Sequence, residues 1–429
     1  MIRKKLSFGI IAGGLSIAAN GLSGLLVYPI ILQKLSAEIA GLWFFFTSFT
    51  IIINLAKAGL APIVMRRAAS VITNNNERIL HDYIKLIKKS FGIVALIALL
   101  ICLIIYFFYV KWVISENPEL YSQGLITWIL FVFGNIINIY FSKNFYIING
   151  FGEVGWDKVN QIFISLFTIS GYFIILHLDF GLIGLGLVFF INNIVYSISS
   201  KYLLKKFTPN RVVSKAGKVT TNQIINLFKE GGEILILNIV GVLVMNKDVF
   251  LVERVLGLSI LPSFTALSRI QTISITISML IPQMIFPFIA QNYAEKNYAQ
   301  VRKLYQQGVL FSIVVITIIS IILLFSSETI FSIWLGNGYF LGNRIFALLL
   351  LLAIIYVHHN AHASAVISTS KNSFVIPAII NGLVSIPLAY LGLKNFGIEG
   401  MIIGNILATL LPSVYVVNYS IKYFRGLGI

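Results

Sequence analysis

Five charged side chains lie well inside long apolar stretches of the chain: Lys57, Lys143, Lys247, Asp248 and Arg269. An ionisable group at the middle of a bilayer costs roughly 2.5–3.5 kcal/mol on insertion scales, so such groups usually face a cavity or a partner. Four of the five are basic. If the helices turn them inward, they form a cationic cavity for an anion such as phosphate, which Arg binds bidentately and Lys binds as a point charge.

Most of these charges also have an ordinary structural interpretation. Lys57 and Lys143 lie within about two turns of the cytosolic ends of their stretches, from where a long side chain can reach the membrane surface. Lys247 and Asp248 are neighbours in sequence and could neutralise each other. Arg269 lies near the middle of its stretch, so we expect it to face the cavity.

Three of the five histidines cluster in one apolar stretch: His358, His359 and His362. Their spacing places His358 and His362 on one face of a helix. A zinc site would need a third ligand and a nearby carboxylate, so no metal is predicted. Coupling to a proton gradient and hydrogen bonding between helices both fit the pattern.

The composition excludes an ordinary soluble protein. Hydrophobic side chains make up 58% of the 429 residues and charged ones 11%, against about 25% charged in an average soluble domain. Cys102 is the single cysteine, so no disulfide scaffold is predicted. The chain carries no phosphate-binding loop, zinc-protease motif or nucleophile elbow. We therefore expect neither an enzyme nor a bound cofactor.

Twelve stretches are long and apolar enough to cross a bilayer, for which a helix needs about 20 residues. They lie near 8–33, 41–65, 90–112, 125–148, 159–177, 181–200, 230–255, 258–289, 308–332, 344–367, 373–392 and 398–419. With the N-terminus inside, 23 of the 32 Lys and Arg residues fall in cytosolic segments, which predicts that both termini are cytosolic. The net charge of +17 is then a topology signal, and no nucleic-acid partner is expected.

The two halves of the chain repeat weakly at an offset of about 216–225 residues. Phe180–Gly184 matches Phe396–Gly400, and Leu35–Gly41 matches Leu256–Pro262. Six spans in each half give both halves the same orientation, which suits alternating access. This offset also gives Lys143 and His362 matching places in the two halves.

The repeat predicts an all-α polytopic membrane protein of two six-helix lobes. The expected parts are an N-terminal lobe at 1–200, a basic cytosolic connector at 201–229 and a C-terminal lobe at 230–429. The connector either anchors the topology or contacts anionic lipid.

Asparagines recur within the predicted spans, where they either hold helices together by hydrogen bonds or line a cavity. The sequence does not distinguish these two roles. The residues include Asn54, Asn135, Asn138, Asn192, Asn193, Asn381 and Asn405.

Three segments carry a resemblance to a known superfamily. Asn20 to Trp43 contains a helix exit and turn from Tyr28-Pro29 onward, Asn246 to Gly257 begins the second half, and Phe396 to Gly400 forms the last turn. Together they resemble the multidrug/oligosaccharidyl-lipid/polysaccharide (MOP) exporters, and within them the Wzx-type O-antigen and polysaccharide flippases.

The resemblance implies a MATE-like fold around a central cavity, and a monomer in the bacterial cytoplasmic (inner) membrane. The implied substrate is an undecaprenyl-pyrophosphate-linked oligosaccharide, moved from the inner to the outer leaflet for O-antigen, lipopolysaccharide or other polysaccharide biosynthesis. Cationic residues would contact the pyrophosphate, a role carried to Lys57, Lys143, Lys247 and Arg269. Membrane lipids and the polymerase or ligase machinery of the same polysaccharide are the implied partners.

The main alternative is an ion-coupled multidrug antiporter of the same fold. Cationic drugs would require buried carboxylates, and the spans offer mainly Asp248, with Glu233 and Glu253 near the ends. Asp248, His362 and His358 are then the candidates for coupling or gating. A membrane-embedded polymerase fits less well, because every predicted outer loop is about a dozen residues or fewer.

Overall fold

A computed structural model describes residues 2–73, 77–116, 118–208, 219–336, 338–369 and 374–427. Within these ranges the chain is helical and contains no β-strand. Ten helical segments of the described chain are long and apolar enough to cross a membrane. Large apolar side chains are exposed along them, with Phe325 88% and Phe108 85% exposed. Such surfaces require lipid as solvent, so the chain is a multi-pass membrane protein.

The helices follow one another through short turns. In chain order they are α1 (Ile2–Lys34), α2 (Ala37–Ala58), α3 (Ala61–Thr73), α4 (Glu77–Ile105), α5 (Lys111–Ser115), α6 (Pro118–Gly150), α7 (Val154–His177), α8 (Gly181–Phe207), α9 (Thr221–Leu256), α10 (Leu261–Ala294), α11 (Tyr298–Leu335), α12 (Asn343–Ile367) and α13 (Val375–Gly426). A π-helical segment, Tyr106–Val110, joins α4 to α5.

The chain forms two compact units, Met1–Ile239 and Val240–Ile429. In the first unit, α6 packs along α8 and α1 packs along α7. Polar side chains reinforce the second pair, because Ser16 Oγ donates to Gln161 Oε1 at 2.8 Å and Ser165 Oγ donates to Asn20 Oδ1 at 2.7 Å. Hydrogen bonds of this kind hold helices together where no hydrophobic driving force acts between them.

An aromatic cluster fills the first unit between α2 and α6. The ring of Phe49 lies 5.1 Å from that of Phe45 and 5.5 Å from that of Trp128. Trp128 lies 5.5 Å from Phe131, and all four side chains are buried. Offset and edge-to-face contacts at these distances add to the packing of the large rings.

The second unit contains a sharp chain reversal inside α13. Gly397 has φ 63° and ψ −154°, outside the helical region, and only glycine adopts such angles readily. The parts of α13 on either side then pack against each other, because a Cβ built on Gly404 would lie 2.5 Å from the carbonyl oxygen of Leu388. As one continuous helix, the 52 residues of α13 would extend roughly 78 Å at 1.5 Å per residue, which is more than twice the thickness of the bilayer core. The reversal divides this length between two parts, and each part is closer to the membrane thickness.

The reversal in α13 separates the stretches that were predicted as the eleventh and twelfth spans. The predicted seventh span lies in α9, which is not among the ten apolar segments. The count of twelve spans and the cytosolic position of both termini stay predictions.

The second predicted span, 41–65, ends earlier than the sequence indicated. Helix α2 ends at Ala58, a turn follows at Gly59 and Leu60, and α3 begins at Ala61. Pro62 lies in the first turn of α3, where proline needs no helical donor, whereas it would break a continuous helix. The basic segment 66–89, between the second and third predicted spans, consists of α3 and the beginning of α4 in its described parts.

Candidate functional site

Lys57 lies in the last turn of α2, where a positive charge complements the negative end of the helix dipole. Its Nζ donates to Asn138 Oδ1 on α6 at 2.8 Å. Asn138 Nδ2 in turn donates to Asn193 Oδ1 on α8 at 3.0 Å. One hydrogen-bonded chain therefore joins three helices of the first unit, with an ammonium group at its end.

The partner of Lys57 is neutral. No carboxylate of the described residues lies within ion-pair distance of its Nζ, and the side chain is half-buried. The early end of α2 places Lys57 at the helix terminus rather than two turns inside a span. The bond to Asn138 directs the ammonium group to α6 in the interior of the unit.

Lys143 lies on α6 and is 6% exposed. Its Nζ donates to the carbonyl oxygen of Tyr140 and lies 3.3 Å from the centre of the Tyr140 ring. The ring of Phe141 is contacted both by Lys143, at 4.8 Å, and by Lys201 of α8, at 4.6 Å. Aromatic faces attract cations without neutralising them, and within the described chain Lys143 has no carboxylate partner.

Two of the predicted cationic residues therefore meet at α6, since Lys143 belongs to this helix and Lys57 of α2 binds to it. Lys143 follows Asn138, the partner of Lys57, by five residues on α6, a rise of about 7.5 Å. The contact of Lys201 with Phe141 depends on the packing of α8 against α6, so the sequence does not indicate it. Tyr140 lies three residues before Lys143 on α6, so helical spacing alone places these two side chains together.

Lys247 and Asp248 form an ion pair near the end of α9, with 3.1 Å between Nζ and Oδ1. Asn405 of α13 bridges the two, because its Oδ1 accepts from Lys247 at 2.7 Å and its Nδ2 donates to Asp248 Oδ2 at 2.7 Å. The charge of Lys247 is therefore balanced within the second unit, as one of the two sequence interpretations proposed.

Arg269 lies eight residues after the beginning of α10, about 12 Å along the helix. Its side chain is partly buried. Gln271, two residues further on, donates to the carbonyl oxygen of Leu349 at 2.8 Å and fixes α10 against α12. Arg269 therefore lies about two turns inside α10 rather than near the middle of a span, where the sequence placed it.

The histidines form a hydrogen-bonded group on α12. His362 Nε2 lies 3.2 Å from His358 Nε2, which confirms that the two share one face. His362 Nδ1 lies 2.7 Å from Tyr305 Oη of α11, and His359 Nδ1 lies 3.2 Å from Ser413 Oγ of α13. Among the described residues, no three His, Cys, Asp or Glu side chains come together to hold a metal ion.

No protein-family model and no curated protein matches the chain. Solved structures do match it over nearly its whole length. An inward-facing conformation of a multidrug resistance MATE family transporter of the MOP superfamily has a TM-score of 0.74 at 14% identity, with 98% of each chain covered.

Two further structures match closely in fold. The lipid II flippase MurJ in an inward closed conformation has a TM-score of 0.70 at 16% identity, covering 96% of this chain and 87% of its own. A MOP superfamily transporter from Pyrococcus furiosus, for which a reversed polarity of the binding pocket suggests a different function, has a TM-score of 0.67 at 15% identity, covering 100% and 97%. The chain therefore has the MATE-like fold that these transporters and this flippase share.

Proposed function

We propose that the protein is a flippase that moves an undecaprenyl-pyrophosphate-linked oligosaccharide from the inner to the outer leaflet by alternating access. The repeat unit would belong to O-antigen or another surface polysaccharide, and the membrane would be the bacterial cytoplasmic membrane. The MATE-like fold supports a transporter, and the MurJ match supports a lipid-linked substrate.

One observation carries the choice of an anionic substrate. Lys57 and Lys143 of the first unit interact with an amide oxygen, a backbone carbonyl and aromatic rings, not with carboxylates. A cation among membrane-spanning helices is costly without a counter-charge, and an anionic substrate would supply it. Pyrophosphate suits two separated ammonium groups because it presents several charged oxygens.

The proposed roles differ among the predicted residues. Lys57, Lys143 and Arg269 would contact the pyrophosphate, whereas Lys247 contributes less because Asp248 balances its charge. Asp248 and the histidines His358 and His362 are proposed to act in coupling or gating. The sugar would meet neutral polar side chains, and the lipid tail would stay in the bilayer.

The direct test is the sidedness of the lipid-linked oligosaccharide in cells that lack this protein but keep the other genes of the polymer. We expect accumulation on the cytosolic leaflet, which the wild-type protein reverses. Lys57→Gln should fail to reverse it, whereas Lys111→Gln, which removes a charge from an exposed site, should succeed. Equal rescue by both variants would contradict the role of Lys57.

A multidrug antiporter is the second candidate, favoured by the buried carboxylate of Asp248 with its two partners. Such a carboxylate would bind a cationic drug or a coupling ion after leaving Lys247. Unchanged oligosaccharide sidedness, together with a drug sensitivity that Asp248→Asn reproduces, would favour this function. Accumulation of the oligosaccharide on the cytosolic leaflet, with unaltered drug sensitivity, would favour the flippase.

A further inference from the structure

The second unit contains a cavity of about 300 Å³ whose two arginines have no role in the predicted site or in the proposed function, although His362, a coupling or gating candidate, also lines it. It lies between the beginning of α11, the last third of α12 and the end of α13. Arg302 of α11 and Arg425 of α13 are among the residues that line it, and aliphatic side chains of α11 extend the lining along the helix. Its size is at the lower end of the range of about 300–1,000 Å³ found for ligand pockets.

The two arginines give the cavity a positive charge that no carboxylate of the described residues pairs with. Arg302 donates through Nη2 to the carbonyl oxygen of Leu427, while its Nε is buried and has no hydrogen-bond partner among the described residues. Arg425 is exposed, and in the described chain neither arginine forms an ion pair. Two guanidinium groups with free donors form a site for a phosphate group.

The apolar side of the cavity follows one face of α11. Val309 and Ile313 lie seven and eleven residues after Arg302, a spacing that keeps all three on one face. The part of α11 that lines the cavity, from Arg302 to Ile313, is roughly 16 Å long at 1.5 Å per residue. Leu310 also lines the cavity and is 64% exposed, so this wall opens to the side of a membrane-spanning helix.

The inner wall of the cavity is held in place by its own contacts. Tyr305 Oη lies 2.7 Å from His362 Nδ1, and the Tyr305 ring stacks on Phe424 with 4.1 Å between ring centres. All three side chains are buried. The cavity is therefore pre-formed, which lowers the entropic cost of binding.

We propose that this cavity binds one anionic phospholipid of the surrounding membrane. Its phosphate lies between Arg302 and Arg425, and one acyl chain lies against Val309, Leu310 and Ile313. The bond from Arg302 to the carbonyl of Leu427 places the beginning of α11 beside the end of α13, and the ends of helices that cross the hydrocarbon lie near the level of the lipid phosphates. The proposal does not rest on the proposed function, because the lipid is a resident ligand of the second unit.

The test uses the purified full-length protein and native mass spectrometry with phosphatidylglycerol and phosphatidylcholine of identical acyl chains. We expect the wild type to retain one phosphatidylglycerol in preference to phosphatidylcholine. Arg425→Gln should weaken this binding about tenfold, since it removes a charged hydrogen bond. Arg425 makes no hydrogen bond or ion pair in the described chain, so its replacement leaves the fold intact.

Two further variants separate this site from general surface charge. Lys422→Gln removes an exposed charge three residues away on α13 and should leave phosphatidylglycerol binding unchanged. Ile313→Trp fills the path of the acyl chain and should weaken binding although both arginines remain. Equal losses in Arg425→Gln and Lys422→Gln, or no effect of Ile313→Trp, would overturn the proposal. Displacement of the lipid by inorganic phosphate alone would also overturn it, because the site would then bind a free anion.

Discussion

The bridged ion pair of Lys247 and Asp248 allows a quantitative prediction of stability. Lys247→Met leaves a largely buried carboxylate without its counter-charge, and breaking a buried pair in this way costs about 3–5 kcal/mol. The side chain of Asp248 is 19% exposed and keeps its hydrogen bond from Asn405, so we expect the lower end, about 3 kcal/mol. Asp248→Asn should also destabilise, because the side chain of Lys247 is only 6% exposed.

The double variant should lose less than the sum of the two single variants. Removing both charges leaves no uncompensated ion, so we expect a coupling free energy of about 1–3 kcal/mol. The free energy of unfolding would be measured by SDS titration of the purified protein in mixed micelles. Lys394→Met, at an exposed position of α13, is the control and should change stability by less than about 0.5 kcal/mol.

Additive effects would refute this reasoning. If the double variant matches the sum of the single variants within about 0.5 kcal/mol, the two charges do not interact in the folded protein. A stability of Lys247→Met equal to that of the control would show that Asp248 does not depend on Lys247 for its counter-charge.

Three other predictions follow from contacts within the units. Gly404→Ala should destabilise the protein by about 1–3 kcal/mol, because its Cβ would meet the carbonyl of Leu388, whereas Gly14→Ala, in open space, should be neutral or stabilising; thermal unfolding in detergent distinguishes them. Glu230→Gln removes two exposed arginine ion pairs and should cost less than about 1 kcal/mol, with the difference vanishing at high salt. Lys143→Ala should reduce transport more than Lys143→Arg, and equal effects would indicate packing or surface charge rather than phosphate binding.

Hydropathy located the ten apolar helical segments, because lipid requires long uninterrupted helices, but the seventh predicted span lies in α9, which is not among them. Hydropathy did not find the end of α2, since Leu60 and Ala61 continue the apolar run while Gly59 and Pro62 turn the chain. The basic segment that follows, 66–89, is helical in its described parts. Arg66 and Arg67 of α3 both pair with Glu230, and such exposed ion pairs add only a little to the stability of the helix.

The polar contacts of the candidate site divide according to sequence separation. The pair His358 and His362 follows from the four-residue period of one helix, and the pair Lys247 and Asp248 follows from adjacency. The contact of Lys57 with Asn138 joins residues 81 positions apart, and that of Lys247 with Asn405 joins residues 158 apart. Periodicity carries no information on such contacts, because they depend on which helices pack and in which rotation.

The burial of Cys102 has a practical consequence for measuring orientation. This residue is the only cysteine of the chain and is 1% exposed inside the first unit. Thiol reagents therefore have no accessible native target while the protein is folded. The protein with its natural sequence is then the unlabelled control. A cysteine introduced at Lys111 or at Lys303, both exposed, would be the single reactive group for a membrane-impermeant maleimide. Labelling of intact cells at the first position but not at the second would report the sidedness of the helices without any further substitution.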